Sequence, residues 1–193
     1  QILPIASINS MYIGDQKAND IFRPAVLIQI LEDNREQLGF SNELFGEQLL
    51  FAFNDAINSE IPSIKTNAKR LAEEFGDRLA SVIISLKKPS ELSMNNRIDW
   101  TKDHWEFWAN IERLYLVGGL TSPIMTKIFY QRIARALEEN KITNFVVTFI
   151  EGSKDLGTRG LRHLCDNGEF LLFDFGQTNI KIGHYLKEDN NVR

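Results

Sequence analysis

Glu169-Phe-Leu-Leu-Phe-Asp-Phe-Gly-Gln-Thr-Asn-Ile-Lys-Ile-Gly-His-Tyr-Leu-Lys187 reads as an apolar strand, a tight polar turn and a second strand. Asp174, Gly176, Gln177, Thr178 and Asn179 follow directly on the apolar run Phe170 to Phe173, which gathers a carboxylate and several backbone N–H groups at one strand end. Such a turn suits a phosphate. A carboxylate there would hold a magnesium ion or its water, and Gly176 lets the main chain approach phosphate oxygens without a side chain in the way. The plainer reading of Asp174 is a carboxylate that stabilises its own turn.

Upstream, the pattern alternates. Arg113-Leu-Tyr-Leu-Val117 is strand-like and runs into Gly118-Gly119, after which Ser122-Pro123 supplies an N-cap and a first-turn proline for a helix through Glu139. Its apolar face includes Met125, Phe129, Ile133, Ala136 and Leu137. Asn144 to Ile150 reads as a further strand and Asp155 to Cys165 as a short helix. The near-continuous apolar character of Leu114 to Val117 and Phe145 to Ile150 predicts parallel strands buried on both faces.

Ahead of this lies a helical portion. Phe22 to Leu31 carries Pro24 in its first turn, and Ser41 is placed to cap a helix bearing Leu44, Phe45, Leu49, Leu50, Phe53 and Ile57. The strongest periodicity spans Ser63 to Lys88, where Leu71, Phe75, Leu79, Val82, Ile83 and Leu86 recur at three- and four-residue steps. Ser90 to Arg97 is polar and reads as a loop. Trp100, Trp105, Phe107 and Trp108 then form an aromatic cluster, read first as the anchor of a helix in the core or at a subunit contact and second as a stacking surface for a ligand. Met11-Tyr-Ile and Ile2-Leu-Pro-Ile-Ala are short apolar pieces fit for strands, with Gly14-Asp15 as a turn.

With 193 residues, 43% hydrophobic and 25% charged, the composition is that of an ordinary globular protein. A net charge of -4 and a pI near 5.5 supply no basic footprint, so a nucleic-acid partner is not expected. No apolar stretch nears the roughly 18 residues that span a bilayer, so no membrane partner is expected either. The lone Cys165 rules out an internal disulfide and fits a reducing, cytoplasmic setting. The chain starts at Gln1 without an initiator Met, which leads to the expectation of a fragment, a processed product or a trimmed chain. His104, His163 and His184 have no metal-ligand spacing, and neither a Walker loop nor a Gly-x-Ser-x-Gly elbow occurs.

Phe173-Asp-Phe-Gly-Gln-Thr-Asn-Ile-Lys-Ile-Gly183 resembles the first phosphate motif of the superfamily of sugar kinases, heat-shock chaperones and actin, and is closest to glucokinases, hexokinases and the ROK sugar kinases. The resemblance implies an RNase H-like, actin-like ATPase domain, a mixed sheet with flanking helices that binds ATP and magnesium. It assigns Asp174 to the metal and Asp174, Gly176, Gln177, Thr178 and Asn179 to the phosphates. Gln177 departs from the usual second glycine, and its side chain would crowd the γ-phosphate. Leu114-Tyr-Leu-Val-Gly-Gly-Leu-Thr-Ser-Pro123 is similar to the family's adenosine motif and implies that Gly118 and Gly119 let a nucleoside lie on the backbone. Phe53-Asn-Asp-Ala-Ile-Asn58 resembles the Asn-Asp-x-Asn stretch of ROK kinases, with one extra residue between Ala56 and Asn58, and implies Asp55 as the base that takes a proton from a sugar hydroxyl.

The motifs come in permuted order, because the phosphate hairpin follows the adenosine motif. Either the domain is rearranged, or the hairpin begins a second lobe and the domain is incomplete. The expected organisation is one RNase H-like α/β domain over 1–193, with a helical portion at 20–90 and an α/β core at 110–193. The expected function is ATP binding with transfer of the γ-phosphate to a sugar. A chain this short for a two-lobed kinase raises the expectation of a homo-oligomer. The alternative is a non-catalytic domain of the same fold with a structural or regulatory binding role. A metal-dependent nuclease using Asp174 is a third reading, weakened by the acidic balance.

Overall fold

Prolines punctuate the helical half of the chain. Pro24, Pro62 and Pro123 each sit in a helix's first turn, where the missing N–H costs nothing and the fixed φ favours the helix. They open α2 (Pro24–Asp33), α4 (Pro62–Lys87) and α7 (Pro123–Glu139). The remaining helices are α1 (Ala18–Ile21), α3 (Gln48–Ile57), α5 (Glu91–Asn95), α6 (Lys102–Asn110) and α8 (Leu156–Leu161). The strands are β1 (Tyr12–Ile13), β2 (Gln16–Lys17), β3 (Arg113–Leu116), β4 (Val146–Phe149), β5 (Gly168–Phe175), β6 (Ile180–Glu188) and β7 (Asn191–Val192). The structure, a computed structural model, describes residues 8–117, 122–150, 156–175, 180–188 and 191–192, with the side chains of 162, 174, 175, 180, 181, 188, 191 and 192 excepted. It is a mixed α/β protein. Among the described residues no helix is long and apolar enough to cross a membrane.

The chain divides into two compact units, Gln1–Tyr115 with Ser122–Thr148 and Leu116–Thr121 with Phe149–Arg193. In the first, the periodicity of α4 does what the sequence asks of it: Ala68, Leu71, Ala72, Phe75, Leu79, Val82 and Ile83 are all buried. Helix α4 packs against α7, whose stripe Met125, Phe129, Ile133 and Leu137 is buried, and against α3. Phe22 stacks on Phe75 with centroids 4.6 Å apart, and Phe129 lies 6.1 Å from Phe75. Gly76 permits the close approach of the two helices, because a Cβ there would stand 3.0 Å from Arg132 Cγ and 3.2 Å from the Phe129 ring. A second cluster joins Met11, Ala18, Ile21, Val82, Trp100 and Trp105.

Three local expectations need correction. The helix foreseen from Ser41 begins only at Gln48, since the Ser41 hydroxyl accepts from Glu43 N–H and spends its capping capacity in a turn. The stretch foreseen as a loop contains α5, capped by Ser90, whose Oγ accepts from Ser93 N–H. Strands β3 and β4 pair in parallel: Val146 N–H donates to Glu112 O and Ile150 N–H to Leu116 O, a constant offset along the chain. They are not buried on both faces. Val147 is buried, yet Tyr115, Val117 and Val146 are exposed, because alternate side chains of a two-stranded pair are left uncovered.

In the second unit β5 and β6 form the hairpin read from the sequence, in a register that runs from Gly168↔Lys187 to Phe175↔Ile180, with β7 added to β6. Period-two alternation sorts its residues. One face carries Phe170, Leu172 and Tyr185 and meets α8, where the fully buried Thr158 lies 3.1 Å from the Tyr185 hydroxyl. Leu171, Phe173, Ile182 and Leu186 occupy the other face and are exposed.

Candidate functional site

The phosphate-motif residues fall at the end of the β5–β6 hairpin. Asp174 is the penultimate paired residue of β5, opposite Lys181, and the last pair, Phe175 with Ile180, leaves Gly176, Gln177, Thr178 and Asn179 as the connection. Those four residues, the Asp174 side chain, Gly118 and Gly119 lie outside the described residues.

The remaining candidate is described in full. Asp55 sits in the last turn of α3 on its solvent side, between the buried Phe53 and the buried pair Ala56 and Ile57. It belongs to the first unit and Asp174 to the second.

Next to Asp55, Asn54 reaches across the fold. Its Oδ1 accepts from the Ser122 hydroxyl at 2.6 Å, a bond between residues 68 positions apart. Its Nδ2 donates to Leu50 O at 3.1 Å in the preceding turn of α3, which fixes which end of the amide faces Ser122. Ser122 in turn caps α7, accepting from Met125 N–H at 3.4 Å. The structure thus joins the 53–58 stretch to the end of the 114–123 stretch by one side-chain hydrogen bond. Sequence reading found the Ser-Pro cap but not its partner, since nothing in the local pattern of either segment marks a bond over that separation.

The aromatic cluster is structural first. Trp100 and Trp105 are buried and meet edge to face at 4.6 Å, while Trp108 stacks on Trp100 at 6.2 Å. Trp100 and Trp105, with Met94 and Ala109, wall an open groove of about 430 Å³. Lys87, the last residue of α4, donates to the carbonyls of Ala109 and Ile111 at the C-terminal end of α6. Its burial pushes the ammonium below its ordinary pKa, with Glu112 pulling the other way. Among the described residues no cluster of His, Cys, Asp or Glu is placed to hold a metal ion. Compared with protein-family models, with curated proteins and with solved structures, the chain gives no match.

Proposed function

We propose that this protein binds ATP with magnesium in an RNase H-like, actin-like ATPase architecture and transfers the γ-phosphate to a sugar hydroxyl in the manner of ROK or glucokinase-type sugar kinases. The observation that carries this reading is the Asn54–Ser122 hydrogen bond, which links two stretches singled out separately for nucleoside and for acceptor chemistry. Two features support it further. A strand, a Gly-Gly segment and a capped helix follow one another from β3 to α7, and a helix N-terminus favours phosphate. The β5–β6 hairpin brings Asp174 to the end of its strand, next to a short polar connection.

In this reading the Asp174 turn holds the phosphates and Asp55 accepts the proton of the attacking hydroxyl. Magnesium, when bound, supplies charge neutralisation. The protein works in the cytoplasm, without nucleic acid or membrane as partner. The test is phosphate transfer from ATP to a panel of hexoses, read as ADP release and as phosphosugar. Asp55→Asn is expected to lower kcat by about 10²-fold or more while leaving the KM for ATP close to the wild-type value. An equal kcat would remove Asp55 from the chemistry.

A second reading is a non-catalytic domain of the same fold that binds nucleotide for assembly or regulation. The exposed position of Asp55 on α3, together with Gln177 where the family has glycine, favours it. Binding of ATP without ADP release or phosphosugar would select it.

A further inference from the structure

We infer that the outward face of the β5–β6 hairpin is where two copies of this chain meet, in a weak twofold dimer; the inference stands apart from the nucleotide reading above. One face of the hairpin meets α8, where Tyr185 reaches Thr158. In an antiparallel sheet covered on one side, the other side is ordinarily polar. Here the register sets Glu169, Leu171 and Phe173 of β5 against Leu186, His184 and Ile182 of β6 on that outward side, and Leu171, Phe173, Ile182 and Leu186 are exposed. The two polar members pair with each other, His184 Nε2 lying 2.6 Å from Glu169 Oε1. The face is therefore apolar toward the turn and carries an acid beside a base toward the other end.

That pattern is complementary to itself. A twofold axis along the midline of the hairpin lays β5 of one copy over β6 of the other, as in aligned sheet packing. Phe173 then lies over the Ile182 position of the other copy, so apolar end meets apolar end, and each Glu169 comes beside the other copy's imidazole as well as its own. A partner of uniformly acidic or basic surface would meet one matching and one opposing group, whereas a second copy matches both. The size of the face sets the strength. Covering its exposed side chains removes roughly 600 Å² per copy, at the bottom of the range for specific interfaces, which is the scale of a reversible dimer and not of an obligate one.

The experiment is sedimentation velocity of the full chain over about 1–500 µM, a span that brackets the affinity an area of this size supports. Wild type is expected to pass from monomer to dimer without larger species, because a twofold interface closes on itself. Leu171→Thr together with Ile182→Thr should raise the Kd for dimerisation about tenfold or more. Glu169→Lys leaves only basic polar groups on the face and His184→Glu only acidic ones, so each variant alone should associate more weakly than wild type, and an equimolar mixture of the two should restore the dimer. All of these side chains are exposed, so the circular dichroism is expected to match wild type. A wild-type chain that stays monomeric through the whole range overturns the inference. Dimers that persist undiminished in the Leu171 and Ile182 double variant overturn it too, since the interface would then lie elsewhere. Open-ended growth of larger species, or charge variants that weaken association without recovery on mixing, would show an adhesive patch in place of a self-matched face and would equally overturn it.

Discussion

Arg132 of α7 grips Asp77 of α4 through two parallel hydrogen bonds, Nε to Oδ1 and Nη2 to Oδ2, each 2.6 Å long. The pairing holds the guanidinium above its already high pKa, so it is charged at any accessible pH. Both groups are partly exposed, so solvent screening reduces the stabilisation. Asp77→Ala is expected to cost about 0.5–1 kcal/mol in urea unfolding, and Arg132→Lys nearly as much, because an ammonium cannot reproduce the planar fork. A fully retained midpoint in Arg132→Lys would show that charge alone carries the contact.

One residue before Asp77, Gly76 lies directly against Phe129 and Arg132 of α7. Replacing glycine in a helix ordinarily stabilises it by roughly 1 kcal/mol, but here the Phe129 ring and the Arg132 stem already stand where the new atoms would go. Gly76→Leu should therefore destabilise by about 1–3 kcal/mol through overpacking. A raised melting temperature for this variant would contradict the packing.

Lys87→Met removes the ammonium that ties the end of α4 to the end of α6. Leaving the Ala109 and Ile111 carbonyls without that donor is expected to cost roughly 1–3 kcal/mol near neutral pH. The pH dependence has a definite sign. Burial lowers the folded pKa of Lys87 below 10.5, so between the two values the unfolded chain holds the extra proton and stability rises with pH. Below the lowered value the burial penalty is fully present; above 10.5 it is gone. Denaturation of wild type and Lys87→Met at a series of alkaline pH values should show wild type gaining on the variant through that window. A constant difference would contradict the desolvated setting.

On the β5–β6 hairpin, Leu171 and Ile182 are each 63% exposed, beside Phe173 at 45%. An apolar sheet face of this kind attracts apolar dyes and other chains. Leu171→Thr together with Ile182→Thr should lower the fluorescence of bound anilinonaphthalene sulfonate and reduce concentration-dependent association, with the circular dichroism unchanged. If dye binding is unaltered, this face is covered in solution.

Much of the architecture was legible because its signals are local. Pro24 and Pro123 mark helix starts whatever the tertiary context, and the three- and four-residue spacing from Leu71 to Ile83 defines a buried stripe by itself. The hairpin was legible for the same reason, since two apolar runs bracket a polar turn. What failed depended on competition between neighbours: Ser41 has a nearer N–H than any helix offers, and Ser90 with Ser93 makes a cap inside a stretch that composition marks as loop. The covering of a strand face is decided elsewhere in the chain, so the apolar runs of β3 and β4 overstated their burial. Of the candidate site, the residue types were readable, but the bond from Asn54 to Ser122 was not, being set by how α3 and α7 pack.

The most direct test of the central claim is calorimetric titration of Mg·ATP into the wild-type chain and into Asp174→Ala. The account predicts saturable, magnesium-dependent binding by wild type, lost in the variant while its circular dichroism is retained. Absence of binding to wild type, or equal affinity in Asp174→Ala, would contradict it.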